Sequence, residues 1–226
     1  MEIRNTRKWK SAGEIYKSSL VSALWGGHSL NSSKTHEKVL GLRWEGKGDD
    51  PGFPHVGRHP TWMPLPDFMT RPILERMREE VLEIPGNGEL EEIEKAIDEC
   101  LAWEAADKKI VNVCDSTAEM VPVRYTGSSW IDTDIVFDNG WFSAVWGRSS
   151  SSYSTLYGQS ALGIRWKGGL DDKGYPCSFG HRVYFVVPDL FVIPALETLK
   201  AEATRHDGIG SVSILERVIT ECNKVI

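Results

Sequence analysis

The hydrophobic and polar positions of this chain follow the same order twice. Residues 14–25 (EIYKSSLVSALW) and 134–146 (DIVFDNGWFSAVW) each alternate apolar and polar residues around small or turn-forming residues. Alternation on both sides of a turn predicts a β-hairpin in each segment. A third strand is predicted at 39–44 (VLGLRW) and 161–166 (ALGIRW), and a fourth, ending in Pro-Asp, at 61–67 (TWMPLPD) and 183–189 (VYFVVPD).

After each fourth strand the spacing of apolar residues becomes helical. Segments 72–83 and 194–205 begin with proline, which is favoured in the first turn of a helix, so we expect helices to start there. Gly-Asn-Gly and Gly-Ile-Gly then separate each helix from a second one. The pattern predicts ββββαα twice: an α+β fold with antiparallel sheets and helices on one face.

The two halves also repeat in sequence. Residues 41–104 align with 163–226 without a gap, and the best-matched stretch is GLRWEGKGDDPGFP against GIRWKGGLDDKGYP. Upstream, SALWG at 22–26 matches SAVWG at 143–147. We therefore interpret the chain as a tandem duplication of a unit long enough to have its own core.

The repeat also predicts the domain organisation. We expect a first unit at 1–107, a connection at 108–120 in which apolar runs indicate a linking strand pair, and a second unit at 121–226. Two similar units in one chain resemble a fused homodimer, which favours a pseudo-two-fold arrangement and allows a homodimer of the whole chain. A cleft on that axis would be the default ligand site.

Composition and charge indicate a globular protein and disfavour nucleic acid as its partner. The hydrophobic fraction of 41% and the charged fraction of 26% are those of a globular protein, and the net charge of −6 disfavours nucleic acid as a partner. Acidic residues strongly outnumber basic ones between Arg71 and Asp107. This excess indicates either a well-solvated helical face or a docking surface for a basic partner.

The sequence also bears on the compartment. Four cysteines without a CxxC pair are typical of free thiols in a reducing environment. The charged N-terminal stretch has no apolar segment after it, so we expect no secretory signal, and no apolar run is long enough to span a bilayer. We predict a cytoplasmic protein without membrane attachment and without a cofactor.

Arg43 and Arg165 are the first candidates for a ligand site. Strand alternation places Arg43 on the face opposite Leu42 and Trp44. There it could stack on Trp25, pair with Asp50, or grip a phosphate or carboxylate. Structural and ligand-binding interpretations both stay open. The predicted ligand-binding set comprises Arg43, Arg165, Trp25, Trp146, Trp62, Tyr184 and His28.

Paired histidines and aspartates supply a second set of candidates. The alternative metal site uses residues that are competent transition-metal ligands, namely His55, His59, Cys177 and His181. Two ligands per unit do not complete a zinc site, so Asp49, Asp50, Asp171 and Asp172 would have to supply the rest. The alternative catalytic set is His59, His181, Asp50 and Asp172, with general acid–base chemistry oriented by Asp67 and Asp189, unless these two aspartates cap helices instead.

The repeated run S-A-L/V-W-G, L-G-L/I-R-W-E/K-G, G-F/Y-P and P-D resembles uncharacterised bacterial proteins carried on mobile gene cassettes and other accessory DNA. The resemblance covers the strand portion of each unit and brings no catalytic residues with it. It implies an accessory role, such as defence, counter-defence or immunity against a partner.

These observations lead to one main hypothesis and two alternatives. The main hypothesis is a non-enzymatic binding protein for a protein partner or a small anionic or planar ligand, because a duplicated fold occurs without a recognisable catalytic motif. The first alternative is a hydrolase or metal-dependent enzyme that uses the paired His and Asp residues. The second is a purely structural, self-associating protein.

Overall fold

The computed structural model describes residues 9–28, 38–56, 59–107, 130–149, 160–167, 174–178 and 181–225. The chain divides into two compact units, Met1–Asp115 and Ser116–Ile226. Their border falls within the stretch 108–120 that the sequence assigns to a connection. That stretch and the strand pair expected around it lie outside the described residues.

The first unit combines a four-stranded antiparallel sheet with two helices. Its strands are β1 (Trp9–Lys17), β2 (Val21–His28), β3 (Val39–Trp44), β4 (His55–Val56), β5 (His59–Pro60) and β6 (Met63–Pro64). The sheet order is β1-β2-β3-β6, while β4 and β5 form a separate two-stranded ladder. The helices α1 (Asp67–Glu83) and α2 (Leu90–Asp107) follow the last strand.

The second unit contains the same kinds of element. Its strands are β7 (Trp130–Asp138), β8 (Phe142–Ser149), β9 (Ser160–Trp166), β10 (Cys177–Ser178), β11 (His181–Arg182) and β12 (Phe185–Val186). The four-stranded sheet has the order β7-β8-β9-β12, followed by α3 (Asp189–Arg205) and α4 (Val212–Cys222). Antiparallel sheets and four helices among the described residues confirm the predicted α+β class.

Two expectations about element boundaries were wrong. Only two residues of each predicted fourth strand pair with the sheet, and a short hairpin (β4–β5 or β10–β11) forms where a loop was expected. The first helix of each unit begins five residues before the predicted proline, so Pro72 and Pro194 lie inside their helices. These prolines cannot donate a backbone hydrogen bond, but burial of the preceding turn, with Met69 and Phe191 fully buried, stabilises the longer helix.

Both faces of the first sheet are apolar. Trp25 faces α2, because its indole nitrogen donates to Glu99 of that helix. Leu24 points to the opposite face of the same strand and is fully buried there, in a cluster with Trp9, Val39 and Trp62. The strand β2 is therefore buried at its first six positions without a break, which strict alternation does not predict.

A bulge in each edge strand explains the glycine of the repeated SALWG and SAVWG motifs. Register shifts interrupt β1 and β7, and Ser11 and Asp132 take positive φ angles of 47° and 50° at the start of the shifts. The bulged backbone approaches so closely that a Cβ on Gly26 would lie 2.4 Å from Ala12. The glycine is thus required by geometry, and the bulge protects an edge strand from pairing with another chain.

Candidate functional site

The repeated Gly/Asp/Pro stretch of the first unit is a closed loop at the end of β3. Trp44 and Phe53 exchange backbone hydrogen bonds of 2.7 and 3.1 Å, which closes residues 45–52 into a narrow loop. Asp50 accepts a hydrogen bond from the backbone N–H of Gly52. Gly52 has a φ of 75°, and a Cβ there would lie 2.1 Å from the carbonyl oxygen of Trp44. The peptide bond between Phe53 and Pro54 is cis.

Arg43 attaches this loop to the sheet. Its Nη2 donates to the carbonyl oxygen of Pro51 at 2.7 Å, and its Nε lies 3.4 Å from the carboxylate of Glu45. The guanidinium lies over the ring of Trp62, 5.5 Å from the centroid. Strand alternation placed Arg43 on the correct face, but its aromatic neighbour is Trp62 rather than Trp25. The described contacts of Arg43 are therefore with its own unit.

Glu45 completes this cluster and was not anticipated from the sequence. Its carboxylate accepts a hydrogen bond from the hydroxyl of Ser22 and faces Arg43. Ser22 is fully buried and lies opposite Arg43 in the β2–β3 register. The register pairs Ser22 with Arg43, whereas Glu45 directly follows the end of β3, two residues after Arg43.

The second unit holds Arg165 in a different environment. The Arg165 side chain is 1% exposed and lies over the ring of Tyr184, 5.7 Å from the centroid. The Tyr184 hydroxyl is 2.9 Å from the Ser143 hydroxyl, and both residues are buried. The cation–π arrangement thus recurs, and a tyrosine hydroxyl takes the place of Glu45 as the partner of the strand serine. Asp171 and Asp172 lie outside the described residues.

Lys167 occupies the position that matches Glu45 but points elsewhere. Its ammonium donates to both carboxylate oxygens of Asp138 at 2.8 and 3.0 Å. The two side chains are only 12% and 13% exposed. The carboxylate of Asp138 also accepts from the backbone N–H of Gly140. This ion pair therefore links the end of β9 to the turn between β7 and β8.

The remaining residues of the predicted ligand-binding set have other described neighbours. Trp25 stacks on Trp103 at 5.4 Å on the helix side of the sheet. Trp146 takes the corresponding place in β8, opposite Leu162 in register. His28 ends β2 beside Trp9, with 4.4 Å between ring centroids. The structure therefore brings together Arg43 with Trp62, and Arg165 with Tyr184, and directs Trp25 toward the helices on the other face of the sheet.

The paired histidine positions lie on the short hairpins. His55 is opposite Pro60 and His59 is opposite Val56 in register, so His55 and His59 project from opposite faces of the ladder. Cys177 and His181 are arranged in the same way. Cys177 donates its thiol proton to the carbonyl of Gly174. Among the described residues, no group of three or more His, Cys, Asp or Glu is placed to hold a metal.

The alternative catalytic residues are likewise dispersed in the first unit. His59 is exposed in β5, and Asp50 is engaged with the backbone of Gly52. Asp67 and Asp189 are the first residues of α1 and α3, where a carboxylate interacts favourably with the helix dipole; the residue that precedes each is a proline without a side-chain cap. Asp172 lies outside the described residues, as do residues 29–37 and 150–159.

Two matched cysteines are buried in the helical layers. Burial, with the nearby carboxylate of Glu104 adding to it, raises the pKa of the Cys100 thiol to about 12. Burial also raises the pKa of the Cys222 thiol to about 11, with Glu221 contributing in the same direction. Such thiols stay protonated near neutral pH and are poor nucleophiles and metal ligands.

Searches of protein-family models, of curated proteins and of solved structures found no match to this chain. Within the described residues, no helix has both the length and the apolar character needed to cross a membrane. Function is therefore inferred from the geometry of the chain itself.

Proposed function

We propose that this chain is a non-enzymatic binding protein that presents the Gly/Asp/Pro loop of its units to a protein partner. The observation that carries this proposal is the 2.7 Å hydrogen bond from Arg43 to the carbonyl of Pro51, inside the loop. An arginine that holds a surface loop in one conformation lowers the entropy lost when the loop binds. Arg43 is then a positioning residue for the surface that meets a partner, and the same role for Arg165 is proposed from the sequence repeat alone.

The exposed part of the first loop supports a protein as the partner. Lys47, Gly48, Asp49 and Asp50 are all exposed, while Gly52 and Pro54 are buried. An exposed, pinned loop with charges of both signs suits a protein surface. A small anion would instead need a cation directed at it, and the described contacts of Arg43 are already with Pro51, Glu45 and Trp62.

The binding hypothesis is favoured over the enzymatic alternative by the hairpin register. A general base and the group that orients it must lie within hydrogen-bond reach of one another or of a shared substrate. The candidate base His59 is exposed, and Asp50 is committed to the turn of its own loop. For the metal-dependent version, His55 and His59 project from opposite faces of their hairpin. If the alternative is correct, His59→Ala with His181→Ala will abolish an activity while the protein stays folded.

The proposal includes a tandem duplication whose two units are related by a pseudo-two-fold axis. The duplication is supported by the common sheet order and by equivalent bulges in the edge strands, whereas the two-fold relation rests on the likeness of two repeated units to a fused homodimer. An experimentally determined structure tests it, since superposing one unit on the other should require a rotation near 180°. A rotation far from that value would contradict the two-fold arrangement.

A cytoplasmic, accessory role in defence, counter-defence or immunity is part of the proposal, on the strength of the resemblance to mobile-cassette proteins alone. The partner would then be a protein that the chain neutralises or is protected from. The acidic surface of α1 and α2 is a second place where a basic partner could dock.

Affinity capture from the native cells, with matched surface variants, tests the binding proposal. We expect Lys47→Ala with Asp49→Ala to remove the captured partner, because both side chains are exposed on the loop. A control variant, Glu91→Ala with Glu94→Ala and Asp98→Ala, changes exposed charges on α2 and should retain it. If only the control variant loses the partner, the binding site lies on the acidic helices and not on the loop.

A second measurement separates a protein partner from a small ligand. Native mass spectrometry of gently purified protein should give the mass of the chain alone if the partner is a protein. A retained small molecule or metal would contradict the protein-partner proposal. If folded Arg43→Ala and Arg165→Ala variants keep every interaction, these arginines have no role in binding.

A further inference from the structure

Matched positions at one end of each unit carry different exposed side chains. At this end of the first unit lies the apolar tip, which we define as Leu20, Leu82, Glu83 and Ile84. Leu20, Leu82 and Ile84 are 52%, 60% and 51% exposed. Large apolar side chains that cluster on a surface mark interaction sites more often than isolated ones do.

Backbone hydrogen bonds place the parts of the apolar tip at the same end of the unit. The amide of Lys17, at the end of β1, donates to the carbonyl of Asn87 at 2.6 Å, and the amide of Asn87 donates to the carbonyl of Ile84. Leu20 lies in the turn that follows β1, and its carbonyl accepts from the amide of Glu45. The turn and the end of α1 therefore lie at the same end of the unit.

The second unit has a tryptophan tip at this end, which we define as Trp141, Arg205 and His206. Trp141 is 64% exposed, the highest value among the large hydrophobic residues described. Its backbone is fixed, since its amide donates to the side-chain oxygen of Asn139 and its carbonyl accepts from the amide of Lys167 at 2.7 Å. A tryptophan on a fixed backbone is typical of the anchor residues that dominate protein interfaces.

The charges at the two tips are of opposite sign. α1 ends at the exposed Glu83, and α3 ends at the matched Arg205, whose side chain is 67% exposed. Arg205 contacts Glu202 within its own helix, but Glu202 is largely covered, so the guanidinium is the charge that faces solvent. Such exposed pairs within one helix are weak and leave the arginine available to another carboxylate.

We propose that the tryptophan tip of one copy of this chain docks on the apolar tip of a second copy. Trp141 would pack on Leu20, Leu82 and Ile84, and Arg205 would face Glu83 of the other copy. One chain carries both tips, so two copies can form the contact twice, or further copies can extend it. This self-association is separate from the loop-mediated binding proposed above, because neither tip includes Lys47 or Asp49.

Sedimentation velocity of the full chain over a wide concentration range tests the proposal. The wild type should associate as its concentration rises. Trp141→Ser should weaken association roughly tenfold or more, as loss of an anchor residue does. The control Val225→Ser removes an apolar side chain of similar exposure outside the tips and should leave association unchanged.

A charge-reversal mixture tests that the contact joins two copies. Glu83→Arg and Arg205→Glu should each weaken association, since each places like charges in the contact. In a one-to-one mixture, each contact between the two different variants again has opposite charges, so association should return through mixed complexes. Thermal unfolding of each variant identifies any that fails to fold, and Trp141→Ser still tests the contact in that case.

Three results would overturn the proposal. A wild-type chain that stays monomeric at every concentration excludes the contact. Association that Trp141→Ser leaves unchanged assigns it to another surface. Association weakened by both charge variants but not restored in their mixture shows that Glu83 and Arg205 do not face one another. Loss of partner capture by the loop variants is independent of all three.

Discussion

The two arginine clusters differ in how the same cation is accommodated. In the first unit Arg43 faces the carboxylate of Glu45, which Ser22 also contacts. In the second unit the matched position is a lysine that turns away to Asp138, and the Ser143 hydroxyl contacts Tyr184 instead. Both units place the arginine over an aromatic ring. The charged residue after the third strand differs between the units, and each charge has its own partner of opposite sign.

Residues at matched positions of the two units fall into two kinds: those required by backbone geometry and those that form charge pairs. Gly41 and Gly163 are common to both units because a Cβ at either would lie 2.7 Å from the indole of Trp9 or Trp130. Residues constrained in this way by backbone geometry should be equally sensitive in both units. Residues that take part in charge pairing should be sensitive in different ways.

The largest effect is expected at the loop glycine shared by both units. Gly52→Ala and Gly174→Ala should each cost about 4 kcal/mol in the free energy of unfolding, because a positive φ and a clash with a carbonyl oxygen act together. The Cβ would lie 2.1 Å from that oxygen in either unit. Urea unfolding of both variants measures the cost.

Gly48→Ala is the matched control for this clash. Gly48 also has a positive φ, 61°, but a Cβ there meets nothing within 4 Å. Gly48→Ala should lower the free energy of unfolding by about 1 kcal/mol, because it adds backbone strain but no steric clash. Unequal losses for Gly52→Ala and Gly174→Ala would show that the two loops are not held alike.

The second largest effect should come from reversing the charge at Lys167. Lys167→Glu places two carboxylates together where both side chains are largely covered, so we expect a loss of about 3 kcal/mol. Adding Asp138→Lys restores opposite charges and should recover part of the loss, although the contact from Asp138 to Gly140 is lost. Thermal and urea unfolding of the single and double variants give the coupling energy. Additive losses would contradict a direct pair.

The sequence predicts those parts of this fold that depend on neighbouring residues better than the parts that depend on contacts between distant segments. The hairpins, the β3 and β9 strands and the Gly-x-Gly breaks between helices follow from local alternation and turn chemistry, and the structure has them. The helix starts were misplaced because Pro72 and Pro194 are good first-turn residues, whereas burial of the preceding turn extends each helix. Tertiary packing outweighed a local preference at these positions.

The candidate site was predicted less well because its contacts are non-local. Alternation correctly placed Arg43 on the face opposite Leu42, but it gives no information about which aromatic residue from a later segment lies beneath the guanidinium. Trp62 reaches that face only because the short β6 strand pairs with β3. The charge difference between Glu45 and Lys167 is the sequence signal that could have revealed the differing partners.

A smaller effect is expected from the tyrosine hydroxyl of the second unit. Tyr184→Phe should cost about 1–2 kcal/mol, because it removes the described hydrogen-bond partner of the buried Ser143 hydroxyl. Adding Ser143→Ala removes both polar partners, so the double variant should lose less than the sum of the single variants. In the first unit the matched residue is Trp62, and Ser22→Ala tests the corresponding contact with Glu45. A fully additive double variant would contradict the direct bond.

The smallest effect concerns the matched thiols and appears only at alkaline pH. Burial raises the pKa of Cys100 to about 12 and of Cys222 to about 11, from an ordinary value of 9.0. Above pH 9.0 the unfolded chain therefore releases thiol protons that the folded chain retains. Because the unfolded state then binds fewer protons, the free energy of unfolding falls as pH rises, by about 1 kcal/mol per thiol near pH 10.

Cysteine-to-alanine variants isolate this contribution from other alkaline effects. Cys100→Ala with Cys222→Ala lowers the free energy of unfolding at every pH through lost packing, so the slope against pH is the informative quantity. Between pH 9 and 11 the variant should lose stability less steeply than the wild type. Tyr16, whose pKa burial also raises, is present in both proteins and cancels from the comparison. Single variants, Cys100→Ala and Cys222→Ala, measure the effect in each unit. The fall in the free energy of unfolding caused by Cys100 should continue to higher pH than that caused by Cys222, because the pKa of Cys100 in the folded chain is higher.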